Sequence, residues 1–122
     1  MTDALEVVSR LAEVLGDRVD VSFDARRAAR ADKSGHAAAG LPLAVVHAET
    51  VEDVQATLRV AGATRTPVVT RGAGTGLAGA ACAGDGEIAL SLRRMDRILE
   101  VRADDLLAVG EPGILNADLD AA

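Results

Sequence analysis

The stretch PVVTRGAGTGLAGAACAGDGEIALSL, residues 67–92, decides how this chain is interpreted. A short apolar run leads into a glycine-rich loop, and a second apolar run, EIALSL, follows soon after. Gly74, Gly76 and Gly79 match the spacing G-x-G-x-x-G that occurs in dinucleotide-binding loops. Glycines let the backbone adopt positive φ, and successive N–H groups in such a loop can surround an anion such as phosphate. The flanking residues must show whether the loop binds a nucleotide or is only a flexible turn.

The composition is that of a folded chain with little affinity for nucleic acids. Its 122 residues are enough for one domain, and 49% of them are hydrophobic, which excludes a disordered chain. Phe23 is the only aromatic residue, so bases would find no stacking surface, and the net charge of -6 repels a phosphate backbone. We therefore predict no nucleic-acid partner, although one phosphate held locally is compatible with this charge.

The N-terminus and the cysteine content indicate a cytoplasmic protein. Cys82 is the only cysteine, which excludes a disulfide framework and a cysteine-based zinc site. Residues 1–15 carry acids from the start and lack the basic and apolar regions of a signal peptide, and no apolar run approaches the length of a membrane span. We predict cytoplasmic localisation without a metal site, and we leave peripheral attachment to the inner membrane open.

Helical periodicity predicts an N-terminal helix over residues 3–15 that ends at Gly16. Its predicted buried face consists of Leu5, Val8, Leu11, Ala12 and Leu15. Residues 24–40 are polar, basic and rich in alanine without a clear period, which favours an irregular connection with a short helical turn. We divide the chain into residues 1–39, the helix with its connection, and residues 40–122.

The pattern after residue 40 predicts a βαβ unit followed by further strands. Residues 41–48 are predicted as a strand, and Thr50 as the N-cap of a helix over residues 51–62 that ends at Gly62. The apolar stripe of that helix is Val51, Val54, Leu58 and Ala61. Further strands are predicted at 67–71, 87–92 and 106–111, with a weaker candidate at 97–101, and a helix starts near Asn116. This order is an α+β pattern.

The residues around the loop distinguish three kinds of nucleotide site, and a turn without a ligand stays open beside them. A Walker A loop needs Gly-Lys-Ser/Thr at a helix start, and the only lysine of the chain is Lys33. A Rossmann loop opens a helix and precedes a strand that ends in an acid, but only AACA separates Gly79 from Gly84, and the next strand runs into Arg93. The third kind is a loop between two strands that holds a pyrophosphate with backbone amides.

These residues resemble a known family of flavoenzymes. PVVTRGAGTGLAGAA, residues 67–81, looks like the pyrophosphate loop of the vanillyl-alcohol oxidase or p-cresol methylhydroxylase (PCMH) type of FAD-binding domain. The most similar branch includes D-lactate dehydrogenase and the FAD subunit of glycolate oxidase. LPLAVVHAETVEDV before the loop, EIALSLRRMDRILEV after it and the later LAVGEPGILNADL resemble the family in the same order. The resemblance implies that residues 40–122 are the N-terminal half of a PCMH-type domain, truncated at the C-terminus.

The resemblance also implies which residues contact FAD. The pyrophosphate contacts would come from Arg71, Gly72, Ala73, Gly74, Thr75, Gly76, Ala78 and Gly79. Pro112 and Gly113 match a segment that runs beside the cofactor. Thr75 stands where some relatives carry a histidine that binds FAD covalently, so we expect non-covalent FAD. The chain departs from the family at Ala48 and Thr70, where proline is frequent, and near Ala29, where an aromatic residue is frequent.

No residue of this chain is assigned a catalytic role. His36 and His47 are interpreted as solvated or structural, and Cys82 as an inert buried thiol. A cluster of arginines is interpreted first as a solvated turn and second as a contact to phosphate or adenine; its members are Arg93, Arg94 and Arg97.

The activity that the resemblance implies is oxidation of a small 2-hydroxy acid such as D-lactate or glycolate, with hydride transfer to the flavin. An electron acceptor, as a separate partner or as a subunit, would then reoxidise the flavin. Because the family's domain is longer, this chain by itself is expected to bind FAD weakly and to be inactive. Two alternatives stay open: a small nucleotide-binding protein without catalysis, and a gene fragment without a present function.

Overall fold

The computed structural model describes residues 3–122, and the first two residues of the predicted N-terminal segment lie outside the described residues. Its helices are α1 (Ala4–Leu15), α2 (Phe23–Ala28), α3 (Val51–Thr64) and α4 (Asn116–Ala121). Its strands are β1 (Val19–Asp20), β2 (Ala44–His47), β3 (Val68–Arg71), β4 (Ile88–Ser91), β5 (Ile98–Arg102) and β6 (Leu107–Gly110). The predicted α+β order is confirmed, including the weaker strand candidate, whereas the two-residue β1 was not predicted.

Four strands form one sheet in the order β1-β2-β4-β3. β2 and β3 both run parallel to β4, and β1 runs antiparallel to β2. Helix α3 connects β2 to β3, so these three elements are the predicted βαβ unit, with β4 placed between its two strands. Because three strands are parallel, their carboxyl ends and the loops that leave them meet at one edge of the sheet.

The other two strands, β5 and β6, form a separate antiparallel hairpin. Every residue of both strands is exposed. The hairpin is held at its base by Arg97, whose Nε donates to Oε1 of the buried Glu111 at 2.6 Å. The hairpin therefore adds little to the hydrophobic core, which lies elsewhere.

The main core lies between the sheet and helices α1 and α3. Alternate residues of β2 and β4 point toward it, as the two-residue period of a strand requires. Its buried members include Val7, Leu11 and Leu15 of α1, Ala44 and Val46 of β2, and Ile88 and Leu90 of β4.

The buried face of α1 differs from the predicted one. Leu5 is 78% exposed and Ala12 is exposed, whereas Val7, which the prediction omitted, is buried. Val7 lies in line with Leu11 and Leu15 because residues four apart share one face of a helix. Two apolar stripes overlap on this helix, and periodicity alone does not show which stripe the rest of the molecule covers.

Helix α3 starts as predicted and ends later. Thr50 accepts a hydrogen bond from the N–H of Asp53, whose carboxylate accepts one from the N–H of Thr50, so the two residues form a capping box. The prediction that Gly62 ends the helix is wrong. The helix continues to Thr64, and Arg65 ends it in the left-handed conformation.

The buried residues of α3 also differ from the predicted stripe. They are Thr57, Ala61 and Thr64, whereas Val51 and Leu58 are half-exposed. The two buried threonines are tolerated because each hydroxyl donates to a carbonyl of its own helix at 2.8 Å. Hydrophobicity alone therefore does not identify the face of α3 that packs on the sheet.

The opposite face of the sheet is lined by small side chains. Val45 of β2 and Ala89 of β4 are buried there against Ala29 and Ala83. Small residues let the backbone after α2 lie close to the sheet, and Ala83 N donates to Ala29 O at 2.9 Å. This packing places residues 29–36 directly behind the glycine-rich loop.

Candidate cofactor site

The glycine-rich loop, residues 72–79, leaves the carboxyl end of β3 and the chain reaches β4 without forming a helix. Gly74 and Gly79 have φ angles of 72° and 77°. A side chain at Gly74 would be strained, and its Cβ would also collide with Nη2 of Arg71. The loop is thus a connection between two strands, as the third kind of nucleotide site requires, and not the start of a helix.

The backbone amides of this loop are free to bind a ligand. Among the hydrogen bonds formed within residues 3–122, none is donated by an N–H group of residues 72–79. A Cβ on Gly72 would meet no atom within 4 Å, and a Cβ on Gly76 would meet only Oδ2 of Asp32, at 3.9 Å. A run of unpaired N–H groups beside open space is a site for an anion.

Arg71 holds the loop in place. Its Nη1 donates to the carbonyls of Ala29 and Ala81, both at 2.9 Å, and its Nη2 donates to the carbonyl of Ala31 at 3.2 Å. These bonds join the chain on either side of the loop to the segment behind it. Three of the five N–H donors of the guanidinium are occupied in this way.

Asp32 supports the loop from the same segment. Its Oδ1 accepts from the N–H of Ser34 at 2.8 Å, and the neighbouring N–H of Lys33 donates to Gly76 O at 3.1 Å. The Ser34 hydroxyl and N–H hold the pKa of Asp32 below its ordinary value, so the side chain is a carboxylate. Its Oδ2 is the one buried side-chain oxygen without a hydrogen-bond partner among the described residues.

Most of the predicted cofactor residues lie together in this loop. Pro112 and Gly113 lie apart from the other predicted residues, beside the turn that follows β4. Gly113 N donates to Met95 O at 2.7 Å, and a Cβ on Gly113 would collide with Leu92 O. The packing around Gly113 therefore requires glycine at this position.

The contribution of the segment behind the loop, residues 29–36, was not predicted from the sequence. Asp32, Ala29 and Ala31 act through contacts to residues some 40 positions away, such as the bond from Arg71 to Ala29. The only local signal was D-x-S at residues 32–34, a pattern in which an aspartate accepts from the backbone two residues later.

The donor set of the loop fits the pyrophosphate of a dinucleotide such as FAD. The group carries two negative charges and several acceptor oxygens, and the loop offers unpaired N–H donors with no side chain between them and the ligand at Gly72, Gly74 and Gly76. Oδ2 of Asp32 has no hydrogen-bond partner among residues 3–122 and is not part of this donor set, because a carboxylate repels an anion.

Comparison with known proteins agrees with this chemistry. Residues 42–122 match the family model described as "FAD binding domain". The chain is 41% identical over 78 residues to the D-2-hydroxyglutarate dehydrogenase of Stutzerimonas stutzeri, with 64% of this chain and 17% of the relative covered. It is 34% identical over 122 residues to the Danio rerio protein named "Probable D-lactate dehydrogenase, mitochondrial", with 98% and 24% covered. It is 32% identical over 79 residues to the glycolate oxidase subunit GlcD of Bacillus subtilis, with 65% and 17% covered.

The fold is shared with a solved protein structure. The crystal structure of p-cresol methylhydroxylase with substrate bound superposes with a TM-score of 0.80 at 27% identity, covering 96% of this chain and 24% of that chain. The chain spans about a quarter or less of the length of the proteins it matches. Its family match covers more than half of its own residues. The chain therefore belongs to the FAD-binding domain family, with the fold of the PCMH-type FAD-binding domain.

Proposed function

We propose that this chain is the FAD-binding portion of a flavin-dependent oxidoreductase that oxidises a 2-hydroxy acid such as D-lactate or glycolate. The names of the similar proteins support the substrate class, since they are D-2-hydroxyglutarate dehydrogenase, D-lactate dehydrogenase and a glycolate oxidase subunit. We also propose that the PCMH-type portion is residues 40–122 and that residues 1–39 precede it. The family match that begins at residue 42 supports this boundary.

The observation that carries the proposal is the run of unpaired N–H groups at residues 72–79. We propose that they bind the pyrophosphate of FAD, together with the Thr75 hydroxyl and the two N–H groups of Arg71 that are not bonded to carbonyls. Pro112 and Gly113 would lie beside the cofactor. When bound, FAD supplies the hydride acceptor for oxidation of the hydroxy acid.

The residues of this chain orient the cofactor and do not carry out the substrate chemistry. The loop is fixed before binding by the hydrogen bonds of Arg71 and by the contacts of residues 31–34, so little conformational entropy is lost when the ligand arrives. No side chain of the loop is a base or a nucleophile that could act on a hydroxy acid. We therefore assign the loop cofactor binding alone.

We propose that FAD is bound without a covalent bond. The loop contains no histidine or cysteine, and Thr75 is the only residue of the loop with a side-chain hydroxyl. Acid precipitation of the holoprotein should then release all flavin into the supernatant. Flavin that stays with the precipitated chain would contradict this part of the proposal.

The partners and location of the protein are part of the same proposal. The hydroxy acid is the small-molecule substrate, and an electron acceptor or subunit takes up the electrons from the flavin. Within residues 3–122, none of the helices is both long and apolar enough to cross a bilayer. We propose a cytoplasmic location because the single cysteine is typical of a reducing compartment.

The test replaces two glycines whose φ and surroundings accept alanine. Gly72→Ala and Gly76→Ala clash with no atom of the protein, so the fold should persist while each methyl group occupies the space of the ligand. We expect the combined variant to bind FAD about tenfold or more weakly, the loss of one hydrogen bond to a charged group. Gly62→Ala on the exposed surface of α3 is the matched control, because its Cβ also meets no atom within 4 Å. Equal FAD affinity of all three proteins would refute the assignment of the loop.

A further inference from the structure

The β5–β6 hairpin is not covered by the rest of the described chain. Every residue of both strands is exposed, and within residues 3–122 the two strands pair only with each other. Large apolar side chains are exposed along the whole hairpin; they are Ile98, Leu99, Val101, Leu106, Leu107 and Val109. A two-stranded hairpin is marginally stable in water until further strands or another layer join it. The hairpin therefore has the composition of a sheet that a partner completes.

The central strand residues separate an apolar face of the hairpin from a charged face. Because side chains alternate along a strand, Val101 lies on one face and its neighbours Glu100 and Arg102 lie on the other. Ala108, the residue of β6 opposite Val101, shares the apolar face. On the charged face, Nε of Arg102 lies 3.0 Å from Oε1 of Glu100, and its Nη1 lies 3.3 Å from Oδ2 of Asp105. The strand β5 thus carries opposite charges on the two sides of one valine.

The outer edge of β5 is open along the same three residues. Within residues 3–122, no backbone group of Glu100 or Val101 forms a hydrogen bond outside the hairpin. A β-bulge between Ile98 and Glu100 interrupts the regular pairing on one side, and a turn begins at residue 103 on the other. An open edge is a template for another strand. The regular part of this edge is therefore residues 100–102.

This three-residue edge is complementary to itself. If it pairs antiparallel with its own copy over its full length, Val101 lies opposite Val101 of the second copy. Glu100 then lies opposite Arg102 of the second copy, and the two-fold axis generates the same pair again. Opposite charges that face each other directly stabilise paired strands, whereas like charges destabilise them. A register shift of one residue removes both charge pairs, and a shift of two places like charges opposite each other, so the charges select one register.

We propose that the outer edge of β5 is a self-association surface, where two copies of the chain join into a four-stranded antiparallel sheet around Val101. The occupant is a second copy because this edge supplies both charges of each pair. The inference does not depend on the proposed function, since no residue of the glycine-rich loop takes part. Only three residues pair on each copy, so the interface is small, and we expect a dissociation constant of about 10–100 μM.

Sedimentation equilibrium of the chain measures this association. The mass of wild type should rise from 12.5 kDa toward twice that value as the concentration passes the dissociation constant. Glu100→Lys puts two positive charges opposite each other and should raise the dissociation constant about tenfold or more. Glu100→Lys combined with Arg102→Glu restores opposite charges and should recover most of the affinity. Glu13→Lys, the same change at an exposed position of α1, is the control and should stay within about twofold of wild type.

Disulfide cross-linking tests the register. In a Cys82→Ser background, Val101→Cys places two thiols opposite each other at the two-fold axis, so a mild oxidant should join the two copies covalently. Leu106→Cys is the control, because this residue is 95% exposed in the turn of the hairpin and lies outside the paired edge. It should cross-link much more slowly than Val101→Cys. Equal rates for the two variants would refute the register.

The remaining outcomes also decide the proposal. A mass that stays at 12.5 kDa up to about 0.5 mM would refute it, and so would equal association of all the charge variants. Masses that grow beyond the dimer would show open-ended strand aggregation and would overturn the closed two-fold pairing. If a longer protein that contains this chain is monomeric and its Val101→Cys variant resists a thiol reagent, strands of the same protein cover β5 and the proposal is wrong.

Discussion

Arg71→Met removes the guanidinium that joins the glycine-rich loop to the segment behind it, and it keeps most of the apolar stem. In the native chain Arg71 donates to three carbonyls, of which Ala29 O also accepts from the N–H of Ala83. The carbonyls of Ala31 and Ala81 would lose their only donor among the described residues. Each loss costs about 1 kcal/mol for a half-buried carbonyl, and the charged donor adds to this, so we expect the free energy of unfolding to fall by about 2–3 kcal/mol.

Urea unfolding followed by circular dichroism measures this effect. With an m-value of about 1.5 kcal/mol/M, the urea midpoint should fall by about 1.5 M. Arg59→Met is the control, because Arg59 is exposed on α3 and forms no ion pair within residues 3–122, and it should change stability by less than about 0.5 kcal/mol. Arg71→Lys should recover less than half of the loss, since an ammonium cannot reach three carbonyls in fork geometry. A stability of Arg71→Met within about 0.5 kcal/mol of wild type would refute the role of Arg71 in holding the loop.

Three further predictions test the fold and its electrostatics. Leu11→Ala should destabilise the chain by about 2–5 kcal/mol and Leu5→Ala by less than about 0.5 kcal/mol in urea unfolding, and the reverse order would contradict the observed face of α1. Thr50→Ala should lower the free energy of unfolding by about 1 kcal/mol because the capping box is lost, and an unchanged free energy of unfolding would show that α3 does not depend on the capping box. Since the folded pKa of Asp32 is lowered, wild type should be more stable than Asp32→Asn above the ordinary pKa of 3.8, and this advantage should disappear as the pH falls through the lower folded value. A stability difference that does not depend on pH would show that the charge of Asp32 contributes nothing.

The sequence predicted those parts of the molecule whose signals are local. The glycines between two apolar runs predicted the loop, and Thr50 with Asp53 predicted the start of α3, because turn and cap chemistry act over a few residues. The short strand at Val19–Asp20 carries no comparable signal, since its two residues gain their pairing from β2. The buried face of α1 was predicted wrongly for a similar reason. The core that buries Val7 and leaves Leu5 exposed is built by residues that are distant in the sequence.

The support of the loop depends on long-range contacts, and the residues that meet at the carboxyl ends of the parallel strands depend on register. Arg71 reaches Ala29 across 42 positions of the sequence, and no local pattern indicates that contact. His47, Ser91 and Arg71 lie side by side because β2 and β3 pair with β4 in matching register. A shift of one residue in either strand would turn its polar side chain to the other face. The glycine motif therefore predicted the loop that we propose to bind a cofactor, but not the distant contacts that support this loop.

The central claim is that the amides of residues 72–79 bind the pyrophosphate of FAD, and NMR tests it most directly. A chain of 12.5 kDa gives resolved amide signals, so weak binding can also be followed in a titration with FAD. Our account predicts shifts concentrated at residues 72–79, reproduced by ADP, and little change in the hairpin at residues 98–110. Unchanged loop amides at saturating FAD, or shifts confined to another part of the chain, would contradict it.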